Sequence, residues 1–253
     1  MQFWSLVAER IQKMLANYGV GSRRTIERWI EQGRVFVNGR PAQLGEALNG
    51  KENIKIDGRI INLQRNHQLK KEQFIAYYKP TGEVCTRNDP EGRATVFEAV
   101  KDPSQRRWVS VGRLDINTSG LLLLTTNGEL AHRLMHPSYG IQREYSVRLL
   151  GKLSNTHCNL LKRGVRLEDG IARLQEIIYS GGSGKNQWYR VSLGGGRYRE
   201  IRRIFKALDF QVSRLIRIRY GPILLGDLRR GGSRRLTLKE IQTLHRSVGL
   251  RTR

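Results

Sequence analysis

One aspartate in a glycine-flanked turn is the strongest candidate for a catalytic group. Asp115 lies in the segment from 111 to 137, which reads VGRLDINTSGLLLLTTNGELAHRLMHP. The apolar run that follows predicts a buried strand, so Asp115 is expected just before it, at a sheet edge that a ligand can reach. There a carboxylate can act as a nucleophile or stabilise an intermediate. An aspartate before Asn-Thr-Ser-Gly is nevertheless more often a turn former, and these residues alone favour that interpretation.

Three further segments carry residues that could contribute to the same chemistry. Residues 79–82 read KPTG, residues 143–145 read REY, and residues 196–203 read GRYREIRR. Taken alone, Tyr145 is typical of a core tyrosine on a strand. Arg202, taken alone, is typical of a phosphate contact within a basic strip.

Together the four segments resemble the RsuA/RluB family of ribosomal RNA pseudouridine synthases. In that family the longest motif reads G-R-L-D, two variable residues, T-S-G-L-L-L-L-T, then G-E-L-A and a helix ending in H-P. All of these positions match residues of this chain. KPTG resembles the family's K-P-x-G stretch, REY matches its R-E-Y strand, and GRYREIRR matches its late basic motif. The resemblance covers about residues 5–245, which is nearly the whole chain.

The resemblance implies a role for particular residues of this sequence. Asp115 would be the catalytic carboxylate, and Tyr145 would stack on the uracil and could help to remove its C5 proton. Arg202 would pair with Asp115, with Arg203 as the fallback for this pairing. The residues expected to bind RNA are Arg23, Arg24, Arg28, Arg113, Arg197, Arg199 and Arg203.

The implied reaction needs no external reagent. Pseudouridine formation breaks the N1–C1′ bond, rotates the base and rejoins it through C5, without redox change or net hydrolysis. We therefore expect no cofactor and no metal, and the sequence has no cluster of His and Cys ligands. Cys85 and Cys158 are expected to be reduced thiols. Whether Asp115 attacks C6 of the base or C1′ of the ribose, or assists formation of a glycal, is left open by the sequence.

The elements that must position these residues begin with a small N-terminal domain. Apolar spacing predicts helices over Leu6–Ala16 and Arg23–Gln32, the second capped by Ser22 and stopped by Gly33. Strands separated by Asn-Gly and Asp-Gly turns are expected at residues 34–38, 54–57 and 60–63. Residues 5–63 resemble the S4-type RNA-binding domain, which implies a structured RNA as the partner.

A second, larger domain is predicted after a linker. Residues 64–72 are polar and are interpreted as the linker, residues 73–246 as the catalytic domain, and residues 247–253 as a basic C-terminal tail. Strands are expected at 74–78, 121–126, 145–150, 171–178, 188–193 and 215–218, and helices at 130–135, 155–162, 200–208 and 238–245. Because strands outnumber helices and do not alternate strictly with them, the fold class is α+β with a mainly antiparallel sheet. The GGSG stretch at 181–184 is expected to be a flexible loop.

Charge points to a polyanionic partner. The 253 residues carry a net charge of +24, and the last 57 residues hold half of it, with 16 Lys and Arg against 4 Asp and Glu. No run approaches 18 apolar residues and the N-terminus lacks the pattern of a secretory signal, so no membrane span or export is expected. Nucleic acid in the cytoplasm is the favoured partner, and a monomer is assumed because nothing indicates an oligomer.

Two questions about function stay open at this level. The arginine-rich stretch RIRYGP at 217–222 is most similar to the RluB type, which acts on large-subunit (23S) ribosomal RNA, whereas the RsuA type acts on small-subunit (16S) RNA. A non-enzymatic ribosome assembly protein could share both domains, but it would not need an intact set of Asp115, Tyr145 and Arg202. A DNA-binding protein would fit the charge, but no major-groove motif is recognisable.

Overall fold

The computed structural model describes residues 8–62, 72–100 and 107–250. The chain divides into two compact units, Met1–Glu72 and Gln73–Arg253. None of the helices in these described ranges is long and apolar enough to cross a membrane.

The N-terminal unit packs two short helices against small antiparallel strands. Its helices are α1 (Ile11–Asn17) and α2 (Arg23–Glu31). Its strands are β1 (Glu9–Arg10), β2 (Val35–Val37), β3 (Arg40–Pro41), β4 (Ala47–Leu48), β5 (Ile54–Ile56) and β6 (Arg59–Ile61). Strands β3, β2, β5 and β6 form one sheet in that order, and β1 pairs with β4. Ile11, Leu15, Ile26, Val35 and Ile54 are fully buried at the centre of its core.

Local sequence signals account for most of this unit. The Ser22 hydroxyl accepts a hydrogen bond from the backbone N–H of Thr25 and caps α2, as predicted. Asn38 and Gly39 both have positive φ, 50° and 87°, and they join β2 to β3 as the predicted two-residue hairpin turn.

The first helix begins later than predicted. Glu9 and Arg10 are extended because they pair with Leu48 and Ala47 of β4, so α1 starts only at Ile11. The earlier part of the predicted helix, Leu6 and Val7, lies outside the described residues.

The second unit is built on one large sheet. Its strands are β7 (Phe74–Lys79), β8 (Val109–Val111), β9 (Ser119–Thr125), β10 (Arg143–Leu150), β11 (Val165–Leu167), β12 (Gly170–Ala172), β13 (Glu176–Ser183), β14 (Asn186–Leu193), β15 (Val212–Tyr220), β16 (Ile223–Leu224) and β17 (Ser233–Arg235). Its α-helices are α3 (Val96–Ala99), α4 (Gly128–Met135), α5 (Asn155–Arg163), α6 (Glu200–Lys206) and α7 (Leu238–Ser247).

The sheet order is β13-β14-β10-β15-β9-β7-β17, with β16 beside β15 and β8 beside β9. All of these pairs are antiparallel except β15 with β9, which run parallel. Separate apolar clusters form on the two faces of the sheet, one containing Tyr145 and Leu122, the other Leu121 and Tyr220. The predicted α+β class with a mainly antiparallel sheet is therefore confirmed.

Two predictions about this unit are wrong. The strand expected over 171–178 is two strands, because β12 pairs with β11 in a separate hairpin while β13 pairs with β14 in the large sheet. The GGSG stretch is not a loop up to Ser183, since β13 continues through it. A Cβ on Gly182 would lie 2.3 Å from the carbonyl oxygen of Asn186, so glycine is required there by a close strand approach rather than by flexibility.

Candidate active site

Asp115 lies in a short loop that enters the most buried strand of the sheet. The residues Leu114–Thr118, here called the Asp115 loop, follow β8 and lead directly into β9, whose seven residues are all buried. Asp115 therefore stands at the start of a rigid strand, as the sequence predicted. Position by itself does not make it catalytic, but it sets the side chain on a fixed support.

Every backbone carbonyl of the Asp115 loop accepts a hydrogen bond. The donors come from β7, from the segment that follows it, from α6 and from the loop itself: Cys85 Sγ to Leu114 (3.4 Å), Thr118 N to Asp115 (3.0 Å), Gly82 N to Ile116 (2.8 Å), Arg202 Nη2 to Asn117 (2.9 Å) and Lys79 Nζ to Thr118 (3.0 Å). Since each buried backbone acceptor that lacks a donor costs free energy, this set of bonds fixes the loop in one conformation.

Lys79 is the central anchor of the loop. Its side chain is completely buried, and its ammonium group donates to the carbonyls of Pro80 (2.9 Å), Asp115 (3.2 Å) and Thr118 (3.0 Å). Burial lowers the pKa of Lys79, and the nearby Cys85, Glu83 and Asp115 act in the opposite direction. Sequence analysis noted Lys79 only as part of a motif. The signal that could have found its role is a lysine at the end of the apolar run FIAYY, where a charge must find buried acceptors.

The junction between the loop and the sheet requires glycine. Gly120 has a φ of 107°, and a Cβ there would lie 2.3 Å from the carbonyl oxygen of Arg217 on the parallel strand β15. The Arg217 side chain is almost fully buried and its Nε donates to the carbonyl of Leu121 at 2.7 Å. Strands β9 and β15 are thus held unusually close immediately after the loop.

The carboxylate of Asp115 remains accessible beside cationic groups. About 30% of its side chain is exposed, and Arg199 Nη1 lies 3.9 Å from its Oδ2. Arg199 precedes α6 with a left-handed backbone, φ 46°. This distance is longer than that of a charge-assisted hydrogen bond, so both groups keep their capacity to form hydrogen bonds with another partner.

The partner predicted for Asp115 differs from the one observed. Arg202 donates to the carbonyls of Val212 and Asn117, both at 2.9 Å, and so it clamps the Asp115 loop to the start of β15. Arg199 makes the direct approach to the carboxylate instead. Arg199 immediately precedes α6 and Arg202 lies in its first turn, so both reach the Asp115 loop from the same end of this helix. Burial and Arg199 lower the pKa of Arg202, while Asp115 acts in the opposite direction.

The fallback residue Arg203 is directed elsewhere. Its Nη2 lies 2.8 Å from Asp169, which raises the pKa of Arg203. One residue along an α-helix turns the side chain by about 100°, which separates Arg203 from the side that Arg202 occupies.

Tyr145 lies in register with the residues that follow the Asp115 loop. It is buried on β10 and pairs with Arg217 of β15, which in turn pairs with Gly120 of β9. The three residues form one row across neighbouring strands. The structure thus brings Asp115, Arg202 and Tyr145 to one region of the sheet, and their catalytic roles stay predictions.

The arginines predicted to bind RNA fall into two groups. Arg23, Arg24, Arg28 and Arg113 are exposed, and within the described ranges none has an ion-pair or hydrogen-bond partner for its side chain. Arg197 is instead held internally by Asp169, Glu200 and the carbonyl of Ile171. Arg203 contacts Asp169 and Arg199 faces Asp115, so these three arginines are structural contacts or site residues.

Comparison with known families identifies two regions of the chain. Residues 73–207 match the family described as RNA pseudouridylate synthase, and residues 9–54 match the S4 domain. The first match covers more than half of the 253 residues and includes Asp115, Tyr145 and Arg202.

Curated relatives and a solved structure agree with these matches. The chain is 53% identical over 245 residues to the ribosomal large subunit pseudouridine synthase B of Haemophilus influenzae, covering 96% of this chain and 68% of that protein. It is 51% identical over 247 residues to proteins of the same name from Yersinia pestis and Escherichia coli K12, covering 96% of this chain and 77% and 84% of theirs. A crystal structure of a pseudouridylate synthase superposes with a TM-score of 0.65 at 25% identity, covering 93% of this chain and 99% of that one.

Proposed function

Because the chain belongs to the RNA pseudouridylate synthase family, we propose that it isomerises a specific uridine of large-subunit (23S) ribosomal RNA to pseudouridine, with Asp115 as the catalytic carboxylate. The observation that carries the assignment of Asp115 is its loop. All five carbonyls of Leu114–Thr118 are held by hydrogen bonds, while the carboxylate itself stays partly exposed. Such a loop presents one reactive group at a fixed position, as catalysis by orientation requires.

The reaction exchanges one bond to the ribose for another. The N1–C1′ bond breaks and a C5–C1′ bond forms, while the proton lost from C5 is balanced by the proton gained at N1. Asp115 supplies the carboxylate that acts as a nucleophile or stabilises the intermediate, and the arginines at positions 199 and 202 supply its cationic surroundings. Tyr145 packs against the uracil. All these groups belong to the chain itself, so the proposed reaction uses neither cofactor nor metal.

Access to Asp115 requires that the uridine leaves its helix. Extrusion of a base costs a few kcal/mol and is least costly in loops and bulges. Phosphate contacts offset this cost, and the exposed arginines of α2 are the proposed contacts in the S4-type unit.

Large-subunit RNA is preferred to small-subunit RNA because the relatives that share half of their residues with this chain carry that name. We place the protein in the cytoplasm, where ribosomal RNA is modified, and propose that it acts as a monomer. A non-enzymatic role in ribosome assembly is disfavoured, because such a protein would not need the Asp115, Tyr145 and Arg202 set.

The deciding experiment maps pseudouridine in both ribosomal RNAs in cells with and without this protein, then restores the gene as wild type or Asp115→Asn. We expect one large-subunit site to depend on the protein. Asp115→Asn should lower the single-turnover rate by on the order of 10⁴-fold with little change in RNA affinity, because the amide keeps the shape of the carboxylate but not its charge.

The matched control is Asp227→Asn, which changes another exposed aspartate that has no ion pair in the described ranges. Normal modification by Asp115→Asn would refute the assignment of the catalytic residue. A protein-dependent pseudouridine in small-subunit RNA would instead assign the enzyme to the RsuA type.

A further inference from the structure

A cleft opens in the large sheet beside the Asp115 loop. Strand β15 runs past the beginning of β9, since its only partners there are Ile216 with Ser119 and Arg217 with Gly120. On the side away from β10, the residues of β15 before Ile216 therefore lie beside the Asp115 loop rather than beside β9. Between them and the end of β7 lies a cavity of about 680 Å³.

The walls of the cleft combine aromatic, polar and cationic side chains. Tyr78 lies at the end of β7, Asn117 belongs to the Asp115 loop, and Ser213, Arg214 and Ile216 come from β15. Arg230, which precedes β17, also lines the cleft. The predicted catalytic residues Asp115, Tyr145 and Arg202 are not part of this lining. The cleft is therefore a neighbour of the candidate active site and not the site itself.

Both arginines of the cleft carry uncompensated charge. Arg214 and Arg230 are exposed, and neither guanidinium has an ion pair or side-chain hydrogen bond with any residue of 8–62, 72–100 or 107–250. The nearby Arg202 behaves differently, because its guanidinium is already bound to two carbonyls. A planar guanidinium without an internal partner is suited to an incoming phosphate, which accepts two of its N–H groups at once.

The cleft also offers an apolar surface on which the base of a nucleotide can stack. Tyr78 and Ile216 are both half-buried and pack partly against the core on the same face of the sheet. A ring held in this way can offer its remaining surface to a base, and base–aromatic stacking tolerates any sequence. The cavity volume is in the range of sites that bury small ligands, which is enough for one nucleotide.

The shape of the cleft is fixed before any ligand enters. Gly82 N–H donates to the carbonyl of Ile116, and Arg202 donates to the carbonyl of Asn117. Both acceptors belong to residues that line the cleft. Since these two residues follow Asp115 directly in the chain, the cleft opens close to the candidate catalytic carboxylate.

We propose that this cleft binds a nucleotide that flanks the target uridine, with its phosphate on Arg214 and Arg230 and its base against Tyr78. The proposal rests on the proposed function, because it takes the same RNA as the substrate. The enzyme would then bind the RNA strand next to the reacting base. The cleft would therefore contribute to affinity and to the choice of the modified site rather than to the chemical step.

The test of the base contact uses the shortest 23S fragment that the full-length protein modifies, prepared intact or with an abasic residue at each position flanking the target. Tyr78→Ala should lower affinity for the intact fragment by roughly 5- to 150-fold, the range of one lost stacking contact. It should not lower affinity further for the fragment that lacks the flanking base in the cleft. Tyr78→Phe, which keeps the ring, should behave as wild type. Equal losses on intact and abasic RNA would show that Tyr78 acts only through the fold, and the proposal would fail.

The test of the phosphate contact measures affinity against salt concentration. Arg214→Ala and Arg230→Ala should each lower the slope of log affinity against log salt by about 0.7 to 0.9, the value for one lost phosphate contact. The matched control is Arg229→Ala, an exposed neighbour outside the cleft lining, which should leave the slope unchanged. Slopes that do not change in either cleft variant, or that change equally in the control, would overturn the proposal.

The rate at saturating RNA separates this proposal from the proposed function. Single-turnover rates of the cleft variants should stay near that of wild type. A fall to the level of Asp115→Asn would mean that the cleft holds the reacting uridine itself, which contradicts a flanking site. If wild type makes pseudouridine normally while all cleft variants bind as tightly as wild type, the cleft proposal alone is refuted.

Discussion

The cationic side chains of the two units differ in what they touch. On α2 of the N-terminal unit, Arg23, Arg24 and Arg28 are exposed, and in the described part of the chain their guanidinium groups have no internal partner. In the second unit, Lys79 and Arg217 are buried and donate to backbone carbonyls. The arginines of α2 therefore face outward, whereas these two buried cations of the second unit support the backbone.

This difference changes how the net charge of +24 should be interpreted. A basic surplus raises affinity for RNA only where the charge can reach a phosphate. Arg143 is buried on β10, where it donates to the carbonyls of Gly194 and Gly195 and to the hydroxyl of Tyr220. Such residues count in the composition but not in the RNA-binding surface. The comparison thus predicts separable effects of removing cations from the two units.

The largest effect should come from the buried anchor of the Asp115 loop. Lys79→Met keeps the length and apolar stem of the side chain but leaves the carbonyls of Pro80 and Thr118 without this donor. We expect the rate constant at saturating RNA to fall on the order of 10²-fold, because a shift of about 1 Å in a catalytic group has that consequence. Unfolding free energy should fall by only about 2 kcal/mol, since relief from burying a charge offsets part of the loss.

The control for this prediction is Lys206→Met, an exposed lysine at the end of α6. Single-turnover kinetics, urea denaturation and RNA affinity should be measured on both variants. A Lys79→Met enzyme with a normal rate but weakened RNA binding would mean that a buried cation acts on RNA, and the contrast between the two units would be wrong.

How much of this arrangement the sequence predicts depends on whether the signal is local. The Ser22 cap and the Asn38-Gly39 turn are encoded by neighbouring residues, and both were predicted correctly. The break at residues 173–175, which divides the predicted strand into β12 and β13, was not predicted. It depends on the strands with which β12 and β13 pair.

The candidate site shows the same limit. The motif around Asp115 was recognised from consecutive residues, and the sequence predicted Arg202 of the late basic motif as its cationic partner. The choice among Arg199, Arg202 and Arg203 depends on contacts with Asn117, Val212 and Asp169, which are distant in sequence. The sequence likewise does not show which carbonyls accept hydrogen bonds from Lys79, since every residue has a backbone acceptor.

A smaller effect is expected from the outward-facing arginines of α2. Replacing Arg23, Arg24 and Arg28 together by alanine should reduce the slope of log affinity against log salt by about 0.9 for each arginine that contacts a phosphate of duplex RNA. The rate constant at saturating RNA should be unchanged, because these side chains play no part in the Asp115 loop.

The charge-preserving control replaces the same three arginines by lysine, which keeps the phosphate attraction and therefore the slope. Salt-dependent filter binding with the full-length protein distinguishes the variants. If the alanine variant has the slope of wild type, these arginines form a solvated surface, and the RNA-binding role must lie elsewhere in the chain.

The smallest effect should appear in the pH dependence of stability, and it comes from an acid that holds an arginine within the second unit. Arg234 Nη2 lies 2.7 Å from Glu240, which joins β17 to α7, and this bond, with those from Thr237, lowers the pKa of Glu240 to about 2. Because the folded pKa lies below the ordinary value of 4.5, the contribution to stability is complete above about pH 4.5 and is lost as the pH falls towards 2. Both side chains are partly exposed, so the contribution should be only about 1 kcal/mol.

Glu240→Gln should remove this pH-dependent part of the unfolding free energy between pH 5 and 2, whereas Asp227→Asn should not. Urea denaturation at a series of pH values in this range measures the difference between each variant and wild type. A Glu240→Gln difference that stays constant over the range would show that neither Arg234 nor the α7 cap favours the ionised carboxylate. In that case Arg234 would belong with the outward-facing arginines of α2, as a charge available to RNA, and the division between the two units would be less sharp than these contacts indicate.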